Sequence, residues 1–155
     1  MNKLFLLVYS ILFFSCVAQE KIIDKPILFD KERKELSLEY LENRYGLVQD
    51  TPTIVPKVIV LHWTAFSTLE ESFNAFNSSK LPNWRPDIKS VSGLNVSSQF
   101  LVDRDGTIYR LLPETTMARH VIGLNHCAIG IENVGGTDAL PLTNEQVKSN
   151  IALVK

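Results

Sequence analysis

The stretch that decides the fold is Lys57-Val58-Ile59-Val60-Leu61-His62-Trp63, in which an unbroken apolar run, mostly β-branched, precedes a histidine. Such a run is typical of a strand that is buried on both faces, so residues 58–61 are expected to lie in the core. A histidine at the carboxyl end of such a strand lies where a sheet opens toward solvent and ligands. His62 is therefore either a metal-binding or catalytic residue or a hydrogen-bonded structural histidine, and the stretch alone leaves both roles open.

Segments with helical and strand periodicity alternate around this stretch. Helices are predicted at residues 31–45, at 68–77 and from 143 onward, and further strands at 96–102, 107–112 and 128–134. Ser67 and Glu70 have the spacing of a capping box, and Asp105-Gly106 is a strong signal for a hairpin turn. The pattern predicts an α/β domain with a mixed central β-sheet flanked by helices.

The predicted strand at residues 128–134 carries a carboxylate in an otherwise apolar setting. By alternation, Ile129 and Ile131 face one side of the strand, whereas Gly130 and Glu132 face the other. Burial would raise the pKa of Glu132 toward the range that suits a general base. The alternative is a glutamate on an exposed sheet edge.

The segment before this strand holds the other two histidines, His120 and His126. His126 and Cys127 could be mistaken for a metal-binding pair, but adjacent residues of an extended segment point in opposite directions and do not share an ion easily. His120 is better explained as a polar contact to a substrate from a surface loop.

Several linked motifs together resemble one enzyme family. In chain order they are residues 58–65, 95–102, 105–108, 118–120, 125 and 128–132. Their order and spacing resemble the type 2 N-acetylmuramoyl-L-alanine amidases, which are related to the phage amidase lysozymes and to the peptidoglycan recognition proteins. The resemblance covers about residues 55–155, and linked motifs are much more specific than any single one.

The resemblance implies a zinc enzyme that hydrolyses the amide bond between N-acetylmuramic acid and L-alanine in peptidoglycan. Relatives hold the zinc ion with two histidines and an aspartate or cysteine, and His62 matches the first of these histidines. Glu132 matches the catalytic base of the bacterial members. The phage branch uses a tyrosine instead, and its position falls near Ser98 here.

The resemblance also implies two substrate-binding residues, His120 and Asn125. His120 matches a histidine that lines the substrate groove of relatives, although Arg119 and Val121 replace its usual neighbours. Gln99 stands where many relatives have a histidine.

The rest of the zinc site is expected outside this sequence. In relatives the remaining ligands lie downstream of the helix that begins here near Thr143, so they are expected beyond Lys155. The amidase domain at residues 51–155 is then incomplete, and this fragment is expected to be inactive by itself. A hypothesis from another class is a non-catalytic peptidoglycan-binding module that keeps the groove and has lost the metal site.

The first 18 residues have the features of an export signal. Lys3 precedes an apolar run at residues 4–14, which is shorter than the ~20 residues needed to cross a bilayer. Two processing outcomes stay open: acylation of Cys16, as in a lipoprotein, or cleavage after Ala18. Residues 19–50 are expected to form a tether and a short helix. The protein is expected in the periplasm or cell envelope, with membrane attachment through Cys16 if that residue is acylated.

Composition excludes some partners. A chain of 155 residues with 45% hydrophobic residues fits a single domain. Its net charge of -1 provides no positive field for nucleic acid. The expected partners are peptidoglycan or muropeptides, and a monomer is expected. If Cys16 is acylated or removed, Cys127 has no partner for a disulfide.

Overall fold

The computed structural model describes residues 21–83 and 85–155. The export signal predicted at residues 1–18, with the acylation site Cys16, lies outside the described residues. In chain order the elements are β1 (Ile22–Asp24), α1 (Lys31–Tyr45), β2 (Val58–Trp63), α2 (Leu69–Asn77), α3 (Pro86–Lys89), β3 (Phe100–Val102), β4 (Ile108–Arg110), β5 (Ala128–Asn133) and α4 (Asn144–Val154).

The strands form one mixed sheet in the order β1-β4-β3-β5-β2. β3 and β4 are antiparallel neighbours, whereas β1 runs parallel to β4. β5 lies between β3 and β2 and is parallel to both. Helices separate β1, β2 and β3 along the chain, whereas β3, β4 and β5 follow one another without a helix between them. This architecture confirms the predicted α/β class with a mixed central sheet.

The predicted hairpin is present with shorter strands than expected. β3 and β4 are joined by a turn in which the amide of Asp103 donates to the carbonyl of Thr107 at 2.9 Å. Gly106 closes the turn with φ +89°, a backbone conformation that glycine adopts without steric cost. The hydroxyl of Ser149 in α4 donates to the carbonyl of Gly106 at 2.6 Å, so the turn also fixes the last helix against the sheet.

The helices begin at the predicted places, with one correction. The capping box of α2 uses Thr68 and Glu71, one residue later than the expected pair Ser67 and Glu70. Thr68 has the extended backbone of an N-cap residue, and its hydroxyl accepts a hydrogen bond from the amide of Glu71 at 3.2 Å. Ser67 instead donates its hydroxyl to the Glu71 carboxylate at 2.9 Å.

The expected burial of β2 on both faces is wrong. β2 lies at the edge of the sheet with β5 as its neighbour, and Val58, Ile59 and Leu61 are 39%, 37% and 50% exposed. A continuous apolar run is compatible with a buried strand, but it does not specify how many neighbours the strand has. The order of the strands, which depends on distant parts of the chain, decides the exposure.

Part of the tether expected within residues 19–50 is folded. Ile22–Asp24 pairs with β4 as the other edge strand, and Ile27 is buried in a core cluster with Phe76 and Leu101. Ile22 and Ile23 form an apolar pair that is too short to show the alternation of a strand, so the sequence did not predict β1. The folded unit therefore includes residues well before position 51.

Helix α1 follows this edge strand and is part of the same folded unit. Its carboxyl end is closed by Gly46 at φ +67°, which agrees with the helix predicted at residues 31–45. Tyr40 and Leu41 pack in a second core cluster with Leu94 and Met117. In the described part of the chain no helix is long and apolar enough to cross a membrane.

Candidate active site

His62 and Glu132 are register partners on the neighbouring parallel strands β2 and β5. Paired residues of adjacent strands carry their side chains on the same face of a sheet. The structure therefore brings His62 and Glu132 together on one face of the sheet. Glu132 opens into a cavity of about 450 Å³ that is also lined by Trp63, Asn95 and His120.

His62 contacts His120, which lines this cavity. Nε2 of His62 lies 3.1 Å from Nδ1 of His120, and the rings are arranged edge to face with centroids 5.2 Å apart. Burial lowers the pKa of His62. Burial also lowers the pKa of His120 to about 4, with a smaller contribution from the charge of His62. Both rings are thus neutral at pH 7, the form in which an imidazole binds a metal ion.

The ring of His120 packs directly against Gly130, in space that a side chain at position 130 would fill. A Cβ atom at residue 130 would lie 2.8 Å from Cγ of His120, closer than real Cβ contacts allow. Nε2 of His120 lies 3.3 Å from the carbonyl oxygen of Ala128, so the ring is also tied to the same strand. The glycine beside Glu132 therefore serves a specific packing need, which alternation alone did not reveal.

Asn125 holds the backbone that carries His120. Its Oδ1 accepts hydrogen bonds from the amides of His120 at 2.9 Å and Val121 at 2.8 Å, and its Nδ2 donates to the hydroxyl of Tyr40 at 3.2 Å. The residue is 1% exposed. We expected Asn125 to contact substrate directly, but its polar atoms are already engaged within the protein, which gives it a positioning role.

The carboxyl group of Glu132 is largely buried, and its Oε2 has no hydrogen-bond partner in the described chain. Burial raises the pKa of Glu132 to about 7, and the positive charge of Arg85 opposes this rise only in part. β5 is an interior strand, so the alternative of a glutamate on an exposed edge is wrong. A carboxyl group with this pKa can both accept and return a proton near neutral pH.

His62 is a candidate metal ligand, because a neutral imidazole suits zinc. Its register partner on β5 is Glu132, whose Oε2 has no hydrogen-bond partner among the described residues. Within residues 21–83 and 85–155, however, no three His, Cys, Asp or Glu side chains converge to hold a metal ion. The ring of His126 packs with its centroid 4.4 Å from that of the Tyr45 ring.

A sequence profile described as N-acetylmuramoyl-L-alanine amidase matches residues 50–155. The chain belongs to the N-acetylmuramoyl-L-alanine amidase family. Helix α1 lies outside the matched residues of this amidase. A comparison with curated protein sequences finds no match.

Solved structures show the same fold as this amidase. The N-acetylmuramoyl-L-alanine amidase LysC from Clostridium intestinale is similar over 86% of this chain and 72% of its own, with 24% identity and a TM-score of 0.53. A selenomethionine derivative of AmpD is similar over 88% of this chain and 72% of its own, with 23% identity and a TM-score of 0.53. At these identities the likeness concerns the fold.

Sequence reasoning assigned no role to Gln99 and missed Ala65, and both residues shape the amidase site. Gln99 is fully buried; its Oε1 accepts from the amide of Gly130 at 2.7 Å and its Nε2 donates to the carbonyl of Thr116 at 2.8 Å. Ala65 lines the Glu132 cavity with φ +59°, a conformation rare for residues other than glycine. The sequence signal for Gln99 was its position as a polar residue directly before the apolar run at residues 100–102. The sequence around Ala65 contained no signal for its unusual backbone conformation.

Proposed function

We propose that this protein hydrolyses the amide bond between N-acetylmuramic acid and L-alanine in peptidoglycan, with zinc as its cofactor. The observation that carries this proposal is Glu132, a buried carboxyl group with a pKa of about 7 and a free oxygen, opposite His62 in the sheet. Membership of the amidase family supports the substrate class.

In this proposal Glu132 acts as the general base and then as the general acid. It takes a proton from water as the water attacks the amide carbonyl, and it delivers that proton to the nitrogen as the bond to carbon breaks. An amine leaves easily only after protonation, so both transfers are needed. The pKa of about 7 suits both directions.

His62 is proposed as a zinc ligand, because its ring is neutral and lies at the end of β2 beside Glu132. A bound zinc ion polarises the amide carbonyl and lowers the pKa of water toward ~7. His120 is proposed as a substrate-binding residue, since it lies against His62 and lines the Glu132 cavity. Asn125 acts in support of it by holding its backbone amide.

We further propose that the protein works outside the cytoplasm, in the periplasm or cell envelope. Peptidoglycan is located there, and the apolar run at residues 4–14 has the length of an export signal. Acylation of Cys16 would attach the folded amidase domain to a membrane, and cleavage after Ala18 would release it.

The test uses the natural protein, purified metal-loaded, with isolated muropeptides as substrate. Mass spectrometry should detect release of peptides that begin with L-alanine, a chelator should stop the release, and added zinc should restore it. Binding of muropeptides without any release would favour the non-catalytic module. Cleavage that resists chelation would contradict the dependence on zinc.

A further inference from the structure

Three amide side chains form a buried hydrogen-bonded chain between helix α4 and the end of β2. Asn133 is the last residue of β5, whereas Gln146 and Asn150 belong to α4. Each of the three residues is 6% exposed or less. A buried amide costs free energy unless its polar atoms have partners, so each of these side chains depends on specific contacts inside the fold.

This chain of amides ends at the backbone of the proposed zinc ligand. Nδ2 of Asn133 donates to the carbonyl oxygen of His62 at 3.0 Å, and Oδ1 of Asn133 accepts from Nδ2 of Asn150 at 2.8 Å. Nδ2 of Asn150 also donates to the carbonyl oxygen of Gln146 at 2.7 Å. Gln146 is itself fixed, because its Nε2 donates to the carbonyl oxygen of Val134 at 2.8 Å. Helix α4 therefore sets the orientation of the amide that holds His62.

The end of β2 needs such a hold because β2 is an edge strand. Among the described strands β5 is its only neighbour. Leu61 and Trp63, on either side of His62, are 50% and 61% exposed, so side-chain packing restrains this part of the strand weakly. Asn133 binds it twice, since its backbone carbonyl also accepts from the amide of Thr64 at 2.9 Å.

The hold comes from the face of the sheet opposite to the cavity. Glu132 is the register partner of His62 and shares its face, and side chains alternate along a strand, so the side chain of Asn133 lies on the other face. Asn133 can thus fix the backbone of His62 without occupying space on the side where the imidazole contacts His120.

We infer that Asn133, held by Asn150, is a positioning residue that fixes the peptide of His62 and thereby sets its ring for zinc. The inference rests on the proposed function, because it takes His62 as the zinc ligand. It gives α4 a role in the site, although no residue of this helix lines the Glu132 cavity. Residues that support a metal ligand from behind typically contribute about 10–100-fold in metal affinity.

The test separates metal affinity from stability in the natural protein. Asn133→Leu leaves the Asn150 amide without its partner, so it should lower both stability in urea and zinc affinity. The double variant Asn133→Leu/Asn150→Leu replaces both amides with apolar groups and should recover most of the stability. Its zinc affinity should stay about tenfold or more below that of the wild type, because no side-chain donor reaches the carbonyl of His62. Competition with a chelator of known affinity measures zinc binding.

The control is Ser149→Ala, which removes the hydrogen bond from α4 to the carbonyl of Gly106. This variant should lose stability and keep the wild-type zinc affinity. If zinc affinity follows stability through all three variants, Asn133 has a structural role only and the inference is wrong.

A second measurement needs no metal. In metal-free protein with 15N-labelled histidine, NMR should detect the hydrogen bond between the rings of His62 and His120, whose nitrogens lie 3.1 Å apart. The double variant should lose this hydrogen bond, and Ser149→Ala should keep it. Unchanged ring signals in the double variant would overturn the inference. Loss of the hydrogen bond in the double variant, in a protein whose wild type binds no zinc, would uphold the positioning role and reject the zinc dependence of the proposed function.

Discussion

The ring of His120 occupies the space that a side chain at position 130 would need, since a Cβ atom there would lie 2.8 Å from its Cγ. The ring is held on its other side by His62, with the two nitrogens 3.1 Å apart. Gly130 thus sets how close His120 comes to β5. Because His120 contacts His62, the glycine also affects the arrangement of the site.

Gly130→Ala should therefore displace His120. We expect a loss of about 1–3 kcal/mol in the free energy of unfolding, as for other overpacked sites, together with lower kcat/KM for muropeptides. Urea unfolding and a cleavage assay measure the two effects. Gly93→Ala is the control, because its Cβ atom would lie 3.6 Å from Cδ2 of Leu36, an ordinary contact. Wild-type behaviour of Gly130→Ala would show that His120 has room to move.

Glu132→Gln should lower turnover about 10²-fold or more while leaving the zinc content unchanged, because it removes a positioned base. In the wild-type protein the base must be deprotonated, so the rate should fall on the acidic side of the pKa of Glu132, and bound zinc places that pKa below its metal-free value of about 7. The variant should lack this acidic limb. Glu70→Gln, at an exposed position in the first turn of α2, is the matched control and should keep the wild-type profile. An acidic limb that persists in Glu132→Gln would assign the base elsewhere.

Glu132 should also make stability depend on pH. Its pKa rises from 4.5 to about 7 on folding, so the native state binds the proton more tightly than the unfolded state. The free energy of unfolding should then be highest below pH 4.5 and fall as the pH rises to about 7. A shift of this size corresponds to a loss of about 3 kcal/mol.

Unfolding curves of metal-free protein at pH 5 and pH 8 measure this effect, because a nearby cation would favour the carboxylate and hide it. Glu132→Gln should show a smaller decline between these pH values and should be more stable than the wild type at pH 8. Parallel declines in the two proteins would show that Glu132 does not cause the pH dependence.

His62→Ala should remove both bound zinc and amidase activity, since loss of one protein ligand removes much of the affinity for the ion. Metal analysis after dialysis is the measurement. His126→Ala is the control, because the ring of His126 packs on Tyr45 rather than on His62 or His120. This variant should retain zinc. Full zinc occupancy in His62→Ala would exclude His62 as a ligand.

Cys16→Ser separates the two outcomes of export. If Cys16 is acylated, the variant should move from the membrane fraction to the soluble periplasmic fraction, because acyl chains contribute ~0.8 kcal/mol of membrane affinity per buried methylene. Cys127→Ser is the control, since Cys127 is a free thiol within the folded domain. An unchanged distribution of Cys16→Ser would indicate ordinary cleavage near Ala18.

Local signals in the sequence predicted much of the fold. Asp105-Gly106 predicted the hairpin, and helical periodicity predicted the helices at residues 31–45 and from 143 onward. Each of these depends on the chemistry of neighbouring residues. The edge position of β2 and the pairing of Ile22–Asp24 depend on contacts between distant segments, and no local pattern specifies them.

The candidate site likewise combines residues that local motifs predict with contacts that depend on distant parts of the chain. His62 and Glu132 were identified because each belongs to a distinctive strand motif. The positioning role of Asn125 depends on Tyr40, which lies 85 positions away in the chain. A hydrogen bond between residues so far apart leaves no local signal in the sequence.

The residue-by-residue pairing of β2 with β5 restricts how the length of this gene can vary. Deleting or inserting one codon within residues 58–61 would turn His62 to the opposite face of the sheet, away from Glu132. A change of two codons would restore the face but move the ring by about 7 Å along the strand, too far to reach His120. Viable insertions and deletions should therefore fall in the loop before the strand, at residues 46–57, since residues 64–66 line the Glu132 cavity.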